Sequence, residues 1–105
     1  MTEAEFNALA DVALARIESA LEASGADLDY AWAGDGIIEI EFADGSKIVV
    51  NRHLAAQELW VAARSGGYHF RWDGTAWRDT REGTELMISL AHLASAQAGE
   101  NVNLA

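Results

Sequence analysis

The fold is decided by residues 36–42, GIIEIEF, in which every second residue is apolar. Because successive side chains of a strand point to opposite faces, the apolar side chains lie on one face, and Glu39 and Glu41 lie on the other. A strand with this alternation is buried on one face and open to water on the other, as in many antiparallel sheets. We therefore expect a sheet that is covered on one side only.

Short runs in which apolar and polar residues alternate continue from this stretch in both directions and occupy residues 29–79. Asp-Gly at 44–45, and again at 73–74, is a turn sequence typical of hairpins. A last short run lies near residues 76–79. The predicted inward residues are Ile38, Ile40, Phe42, Ile48, Val50, Leu59, Val61, Tyr68, Phe70 and Trp72. The pattern predicts five or six strands in an antiparallel meander.

One helix is predicted before these strands in the chain and a second helix after them. Thr2 and Glu5 have the spacing of a capping box, and Ser-Gly at 24–25 marks the end of the first helix. The second helix follows Glu-Gly-Thr at 82–84 and ends near Ala-Gly at 98–99. Both helices carry apolar residues at helical spacing, which must face a core. These are Phe6, Leu9, Ala10, Ala13, Ile17, Ala20 and Leu21, then Leu86, Met87, Leu90, Leu93 and Ala94.

This order of elements predicts an α+β fold. We expect a two-layer α-β sandwich, with the N- and C-terminal helices packed on one face of a five- to six-stranded antiparallel sheet. With 105 residues, half of them hydrophobic, the chain suits a single domain over residues 1–105. The tail NVNLA at 101–105, with Val102 and Leu104 alternating, has no place in this layout.

Composition excludes several classes of function. The absence of cysteine excludes disulfides, thiolate metal sites and cysteine nucleophiles, and no HExxH or GxSxG motif indicates an enzyme. No apolar run could span a bilayer, and the start MTEAEF is acidic where a signal peptide is basic, so we expect a cytoplasmic protein with no membrane partner. A net charge of -10 opposes nucleic-acid binding and favours cations or a basic protein surface. Solubility alone is the alternative explanation for the acidity.

Carboxylates form a line along the first predicted helix and continue past its end. We call this line the acidic ridge, and its candidate metal ligands are Glu3, Asp11, Glu18, Glu22, Asp27 and Asp29. Asp11, Glu18 and Glu22 fall within about 40° of one another at about 100° per residue. Oxygen ligands on an exposed surface suit hard cations held weakly. The alternative is a helix face that is merely solvated by acids.

A second candidate surface lies on the open face of the sheet. The neighbours of Trp60 in its strand are predicted to point inward, so Trp60 points outward and resembles the anchor of a protein interface. Asn51 shares the outward parity on its own strand, and Arg52 follows it. Alternatively, the loop after Asn51 covers Trp60. The three histidines are widely spaced and form no metal-ligand pattern.

Several motifs distributed along the chain belong together. They are DGSKIVVNRH at 44–53, the strand with Trp60, SGGYHFRWDG at 65–74, Trp77, EFNALAD at 5–11, LDY at 28–30 and AQAGENV at 96–102. Together they resemble the bacterial frataxins of the CyaY type across essentially the whole chain. The sequence departs from that family where Ser19, Ala20, Ala23, Ser24 and Ala26 thin the ridge, and where His53 replaces the usual glutamine.

The resemblance implies an α-β sandwich monomer, and metal-driven oligomers are left open as an alternative state. Its acidic ridge is expected to bind Fe²⁺ and Fe³⁺ weakly and reversibly, along with other divalent cations. Glu18 and Glu22 are also expected to contact a cysteine desulfurase, while Asn51, Arg52 and Trp60 meet the complex of desulfurase and scaffold protein. These properties describe an iron-binding regulator or iron chaperone of iron-sulfur cluster assembly. The alternative is a pure protein-interaction inhibitor of the desulfurase with incidental metal binding. We expect no enzyme, with weak ferroxidase activity as the enzymatic alternative.

Overall fold

The computed structural model describes residues 1–105 and contains two helices and six strands. In chain order the elements are α1 (Glu3–Ala23), β1 (Leu28–Gly34), β2 (Ile37–Phe42), β3 (Lys47–His53), β4 (Glu58–Ala63), β5 (Gly66–Trp72), β6 (Trp77–Asp79) and α2 (Leu86–Ala98). The strands form one sheet in which each strand pairs antiparallel with the next along the chain. The predicted meander is confirmed, with six strands.

The register of the sheet places the inward residues side by side. Val50 of β3 lies opposite Ile38 of β2 and Val61 of β4, and Leu59 lies opposite Phe70 of β5. All five side chains are at most 1% exposed. Together with the apolar stripes of both helices they belong to one core cluster of 21 buried residues. The predicted two-layer sandwich with both helices on one sheet face is confirmed.

The first helix begins with the predicted capping box. Thr2 Oγ1 accepts a hydrogen bond from the N–H of Glu5 at 3.1 Å, and Glu5 Oε1 accepts one from the N–H of Thr2 at 2.9 Å. The hydrogen bonds with Thr2 favour the charged carboxylate and lower the pKa of Glu5. At the other end, the hydroxyl of Ser24 donates to the carbonyl of Leu21 at 2.8 Å. Neither helix combines the length and the apolarity needed to cross a membrane.

The C-terminal residues complete the core, which the sequence did not predict. Helix α2 ends at Gly99, whose φ of +70° lets the chain leave the helix in a left-handed turn. The chain then packs back, so that Val102 and Leu104 are each only 2% exposed. The N–H of Val102 donates to Ser95 Oγ at 2.9 Å, which fixes the tail against α2.

Candidate functional site

The central acids of the ridge are hydrogen-bonded to aromatic side chains of the first strand. Trp32 Nε1 donates to Glu18 Oε2 at 2.8 Å, and the hydroxyl of Tyr30 donates to Glu22 Oε1. Tyr30 and Trp32 are two residues apart on β1, so both point toward α1. The hydrogen bond to Glu22 raises the pKa of the Tyr30 hydroxyl well above its usual range. Neutral donors thus hold both carboxylates while leaving their charge uncompensated.

Asp11 has a charged partner instead. The guanidinium of Arg52 forms an ion pair with Asp11 and donates to Asn7 Oδ1 at 3.2 Å. Residues adjacent in a strand point to opposite faces, so Arg52 faces α1 while Asn51 faces outward. The expectation that Arg52 lies on the open sheet face with Asn51 and Trp60 is therefore corrected: its side chain joins the sheet to the ridge.

The turn between β1 and β2 packs closely on Arg52. A Cβ built on Gly36, which has a φ of +75°, would lie 2.3 Å from Arg52 Nε. The carbonyl of Gly36 also accepts from the N–H of Arg52 at 3.1 Å. Only glycine leaves room for this arrangement without strain. An open cleft of about 350 Å³ lies here, with Asp11 and Trp32 among its lining residues.

The remaining acids of the ridge are exposed and their carboxylates have no protein partner. Glu3 lies at the start of α1, about 28 Å along the helix axis from Glu22 at 1.5 Å per residue, so these two acids cannot share one ion. Asp29 lies directly opposite Glu41 in the pairing of β1 with β2, which places two like charges together. Asp27 lies in the turn that precedes β1. No three acids or histidines converge into a group that could hold a metal ion. Metal binding by the ridge stays a prediction.

Trp60 lies between two histidines on the open sheet face. Its ring stacks on His53 at a centroid distance of 3.8 Å and on His69 at 4.6 Å, with interplanar angles of 13° and 11°. We call these three residues the ring stack. Asn51 lies directly opposite Trp60 in the register. Trp60 is half-buried because both faces of its ring are covered. The sequence predicted the outward direction of Trp60 but assigned no role to the two histidines.

A buried acid lies beneath the ring stack. Glu58 is 5% exposed and accepts hydrogen bonds from Trp60 Nε1 at 2.9 Å and from Arg71 Nη2 at 2.6 Å. His69 Nδ1 lies 3.6 Å from the same carboxylate. Burial would raise the pKa of Glu58, but the hydrogen bonds from Trp60 and Arg71 outweigh it and lower the pKa. The sequence analysis did not single out Glu58. Its position two residues before Trp60 gives it the same outward parity, which could have identified it.

Comparison with known proteins places this architecture in a family. A family model described as a frataxin-like domain matches residues 1–100. The iron-sulfur cluster assembly protein CyaY of Dechloromonas aromatica is 64% identical over 104 residues, covering 99% of each chain. The protein of the same name from Paraburkholderia phymatum is 44% identical over 105 residues, covering 100% of this chain and 99% of its own.

A solved structure supports the same assignment. The frataxin from Psychromonas ingrahamii is 32% identical and matches with a TM-score of 0.91, covering 100% of this chain and 99% of the other. The match in fold therefore extends over both helices and the whole sheet. Sequence and structure agree that the chain belongs to the frataxin family of the CyaY type.

Proposed function

We propose that this chain acts in iron-sulfur cluster assembly as a cytoplasmic, non-enzymatic regulator that binds Fe²⁺ or Fe³⁺ weakly and acts on the cysteine desulfurase and scaffold complex. The names of its relatives support the pathway. The observation that carries the iron-binding part is the pair Glu18 and Glu22, whose negative charges lie one helical turn apart with no cation beside them. A chain with a net charge of -10 attracts cations to such a pair.

The donor set indicates how strongly iron would be held. Carboxylate oxygens suit hard cations, and Glu18 and Glu22 are close enough to share one ion. A cation must compete with the hydroxyl of Tyr30 and the indole N–H of Trp32 for these oxygens. No third ligand encloses the pair, so the ion would exchange readily with solvent. Weak and reversible binding suits a protein that senses or passes on iron more than one that stores it.

Two surfaces are proposed to meet the partner complex. The acidic ridge would dock on a basic surface of the desulfurase, with association accelerated by opposite charge. The open face would add contact through Trp60 and Asn51, whose side chains point away from the core. Arg52 would act indirectly, because its guanidinium is engaged with Asp11.

The test is a double substitution on the ridge. Glu18→Gln with Glu22→Gln should weaken both Fe²⁺ binding, measured by anaerobic calorimetry, and desulfurase binding at fixed ionic strength. Glu82→Gln with Glu100→Gln removes the same charge from two exposed acids that are not part of the ridge and serves as the matched control. Normal binding of both iron and desulfurase by the ridge variant would overturn the proposal.

A pure protein-interaction module is the second candidate. One observation favours it: Glu18, Glu22 and Asp11 already have protein partners, and no metal-binding group forms. In that case iron leaves the desulfurase affinity unchanged in a titration at fixed ionic strength. A clear shift of affinity with Fe²⁺ rules this candidate out.

In this role the protein performs no chemical step of its own. Iron oxidation by the chain should therefore be no faster than oxidation of free Fe²⁺ in matched buffer. Oxidation above that background, lost in the Glu18→Gln, Glu22→Gln variant, would instead assign a ferroxidase to the ridge.

A further inference from the structure

A cleft of about 430 Å³ lies on the helical side of the molecule, away from the ridge and from the ring stack. It is bounded by α1, by the hairpin that joins β5 to β6, and by the start of α2. Its wall is mostly apolar and includes Leu9, Val12, Trp72, Trp77, Leu86 and Met87. Its volume falls within the range of about 300–1,000 Å³ that is usual for small-molecule sites.

Arg16 lies on the wall of this cleft, and it is the one lysine or arginine of the chain whose side chain has neither an ion-pair nor a hydrogen-bond partner. Five of the other six lysines and arginines form ion pairs, and Arg81 donates to the carbonyl of Gly67 at 2.7 Å. The side chain of Arg16 makes neither an ion pair nor a hydrogen bond. It lies roughly 140° around α1 from the carboxylates of the ridge at about 100° per residue, so the ridge acids cannot reach it.

The single acid on the wall does not neutralise Arg16. Glu85 caps α2, and its two oxygens accept from the N–H groups of Met87 at 3.0 Å and Ile88 at 3.2 Å. Its charge is held at the positive end of the α2 dipole. No ion pair joins the carboxylate of Glu85 to the guanidinium of Arg16. The cleft therefore combines an apolar wall with one guanidinium that lacks an acceptor.

We propose that this cleft binds a small aromatic carboxylate, with the acid group on Arg16 and the ring system against the tryptophans. The indole of Trp72 packs edge to face on the buried Trp77 at 5.7 Å and is itself half-buried, so Trp72 offers the ring surface for a planar ligand. A guanidinium holds a carboxylate through two parallel hydrogen bonds. The cleft volume suits a body of one or two rings. The net charge of -10 repels anions from the molecule as a whole, so binding of the carboxylate depends on Arg16.

The probe for this site is 2-naphthoate, with 2-naphthamide as its uncharged match, titrated into labelled protein and followed by NMR at fixed ionic strength. We expect saturable shifts at the amides of Val12, Arg16 and Met87 and at the indole signals of Trp72 and Trp77. The amide should bind about ten- to hundredfold more weakly, the usual effect of losing a charged hydrogen bond.

Arg16→Gln should weaken 2-naphthoate binding by the same factor while leaving 2-naphthamide binding unchanged. This variant removes no hydrogen bond and no ion pair of the folded protein, and Arg16 is exposed, so the spectrum should stay well dispersed. Arg81→Gln, which removes a charge outside the cleft, should leave the affinity as it was. The proposal would be overturned if the two probes bound with equal affinity, or if 2-naphthoate bound Arg16→Gln unchanged. Shifts centred on Trp60, or no saturation at millimolar 2-naphthoate, would also overturn it. None of these outcomes depends on iron.

Discussion

Glu18 on the ridge and Glu58 on the open sheet face each accept a hydrogen bond from a tryptophan Nε1, at 2.8 Å and 2.9 Å. Their surroundings differ in every other respect. Trp32, the donor to Glu18, is 45% exposed and no cation accompanies the pair. Glu58 is 5% exposed and is also bonded to Arg71. The same contact therefore leaves one carboxylate open to an added cation and makes the other part of the structure.

The largest expected effect is a difference in stability between variants that lack Glu58 and variants that lack Glu18. Glu58→Ala should lower the free energy of unfolding by about 2–3 kcal/mol, because it removes a buried acceptor from Trp60 and Arg71. Glu18→Ala should cost no more than about 0.5 kcal/mol, as at most surface sites. Urea unfolding followed by tryptophan fluorescence measures both. Equal losses would show that Glu18 is as structural as Glu58.

A substitution at the β1–β2 turn tests how rigidly Arg52 is held beside the acidic ridge. Gly36→Ala should cost about 2 kcal/mol, because it combines a strained positive φ with displacement of Arg52. Gly25→Ala is the matched control, with a φ of +66° but no atom within 4 Å of the added Cβ, and should cost about 1 kcal/mol. Thermal unfolding of the two variants gives the comparison. If both lose the same stability, then Arg52 moves aside freely.

The stability that Glu58 contributes should also depend on pH. Because the pKa of Glu58 is lowered in the folded protein, its charge stabilises the fold above the unfolded value of about 4.5, and this stabilisation is lost as the pH falls through the folded pKa. The difference in unfolding free energy between the natural protein and Glu58→Gln should therefore be largest near pH 7 and shrink below about pH 4.5. Urea unfolding across pH 3–7 measures it. A difference that grows on acidification would contradict the lowered pKa.

The ring stack should make a smaller contribution. His53→Gln removes one face of the stack, and we expect a loss of about 0.5–1 kcal/mol together with a shift of the Trp60 emission to longer wavelength. His92→Gln, on the exposed side of α2, controls for the loss of a histidine and should change neither. An unchanged emission spectrum in His53→Gln would mean that His53 does not shield Trp60 from water.

The smallest expected effect concerns the competition for Glu22. Tyr30→Phe removes the hydroxyl that donates to this carboxylate, so under the proposed function Fe²⁺ affinity should rise about two- to fivefold, the range for one exposed hydrogen bond. Tyr68→Phe, whose hydroxyl bonds Ser65 away from the ridge, should leave the affinity unchanged. Anaerobic calorimetry measures both. Weaker binding in Tyr30→Phe would instead make Tyr30 a supporting residue for the ion.

The main elements were predictable because they rest on local rules. The alternation in residues 36–42 determines which face of β2 is buried, and the capping box of Thr2 and Glu5 determines where α1 begins. Two alternating apolar residues are too few to show that Val102 and Leu104 belong to the core, since their burial depends on the turn after Gly99.

The candidate site was less predictable because it depends on pairing between strands. The carboxylate line of the ridge follows from helical spacing alone, but its contacts with Tyr30 and Trp32 depend on how β1 lies beside α1. The ring stack joins β3, β4 and β5, whose register no single segment specifies. Arg52 was assigned to the wrong face because it was grouped with its neighbour in sequence, although parity places it toward α1.

The buried C-terminal residues determine which end of the chain tolerates truncation or the attachment of a tag. The match to the family model ends at residue 100, yet two core side chains, Val102 and Leu104, follow it. A chain cut at that boundary would open the helical side of the core to water and expose apolar surface prone to self-association. A purification tag attached after Ala105 starts one residue from a buried leucine, whereas Met1 is 49% exposed. The N-terminus is therefore the end at which to attach a label or a fusion partner.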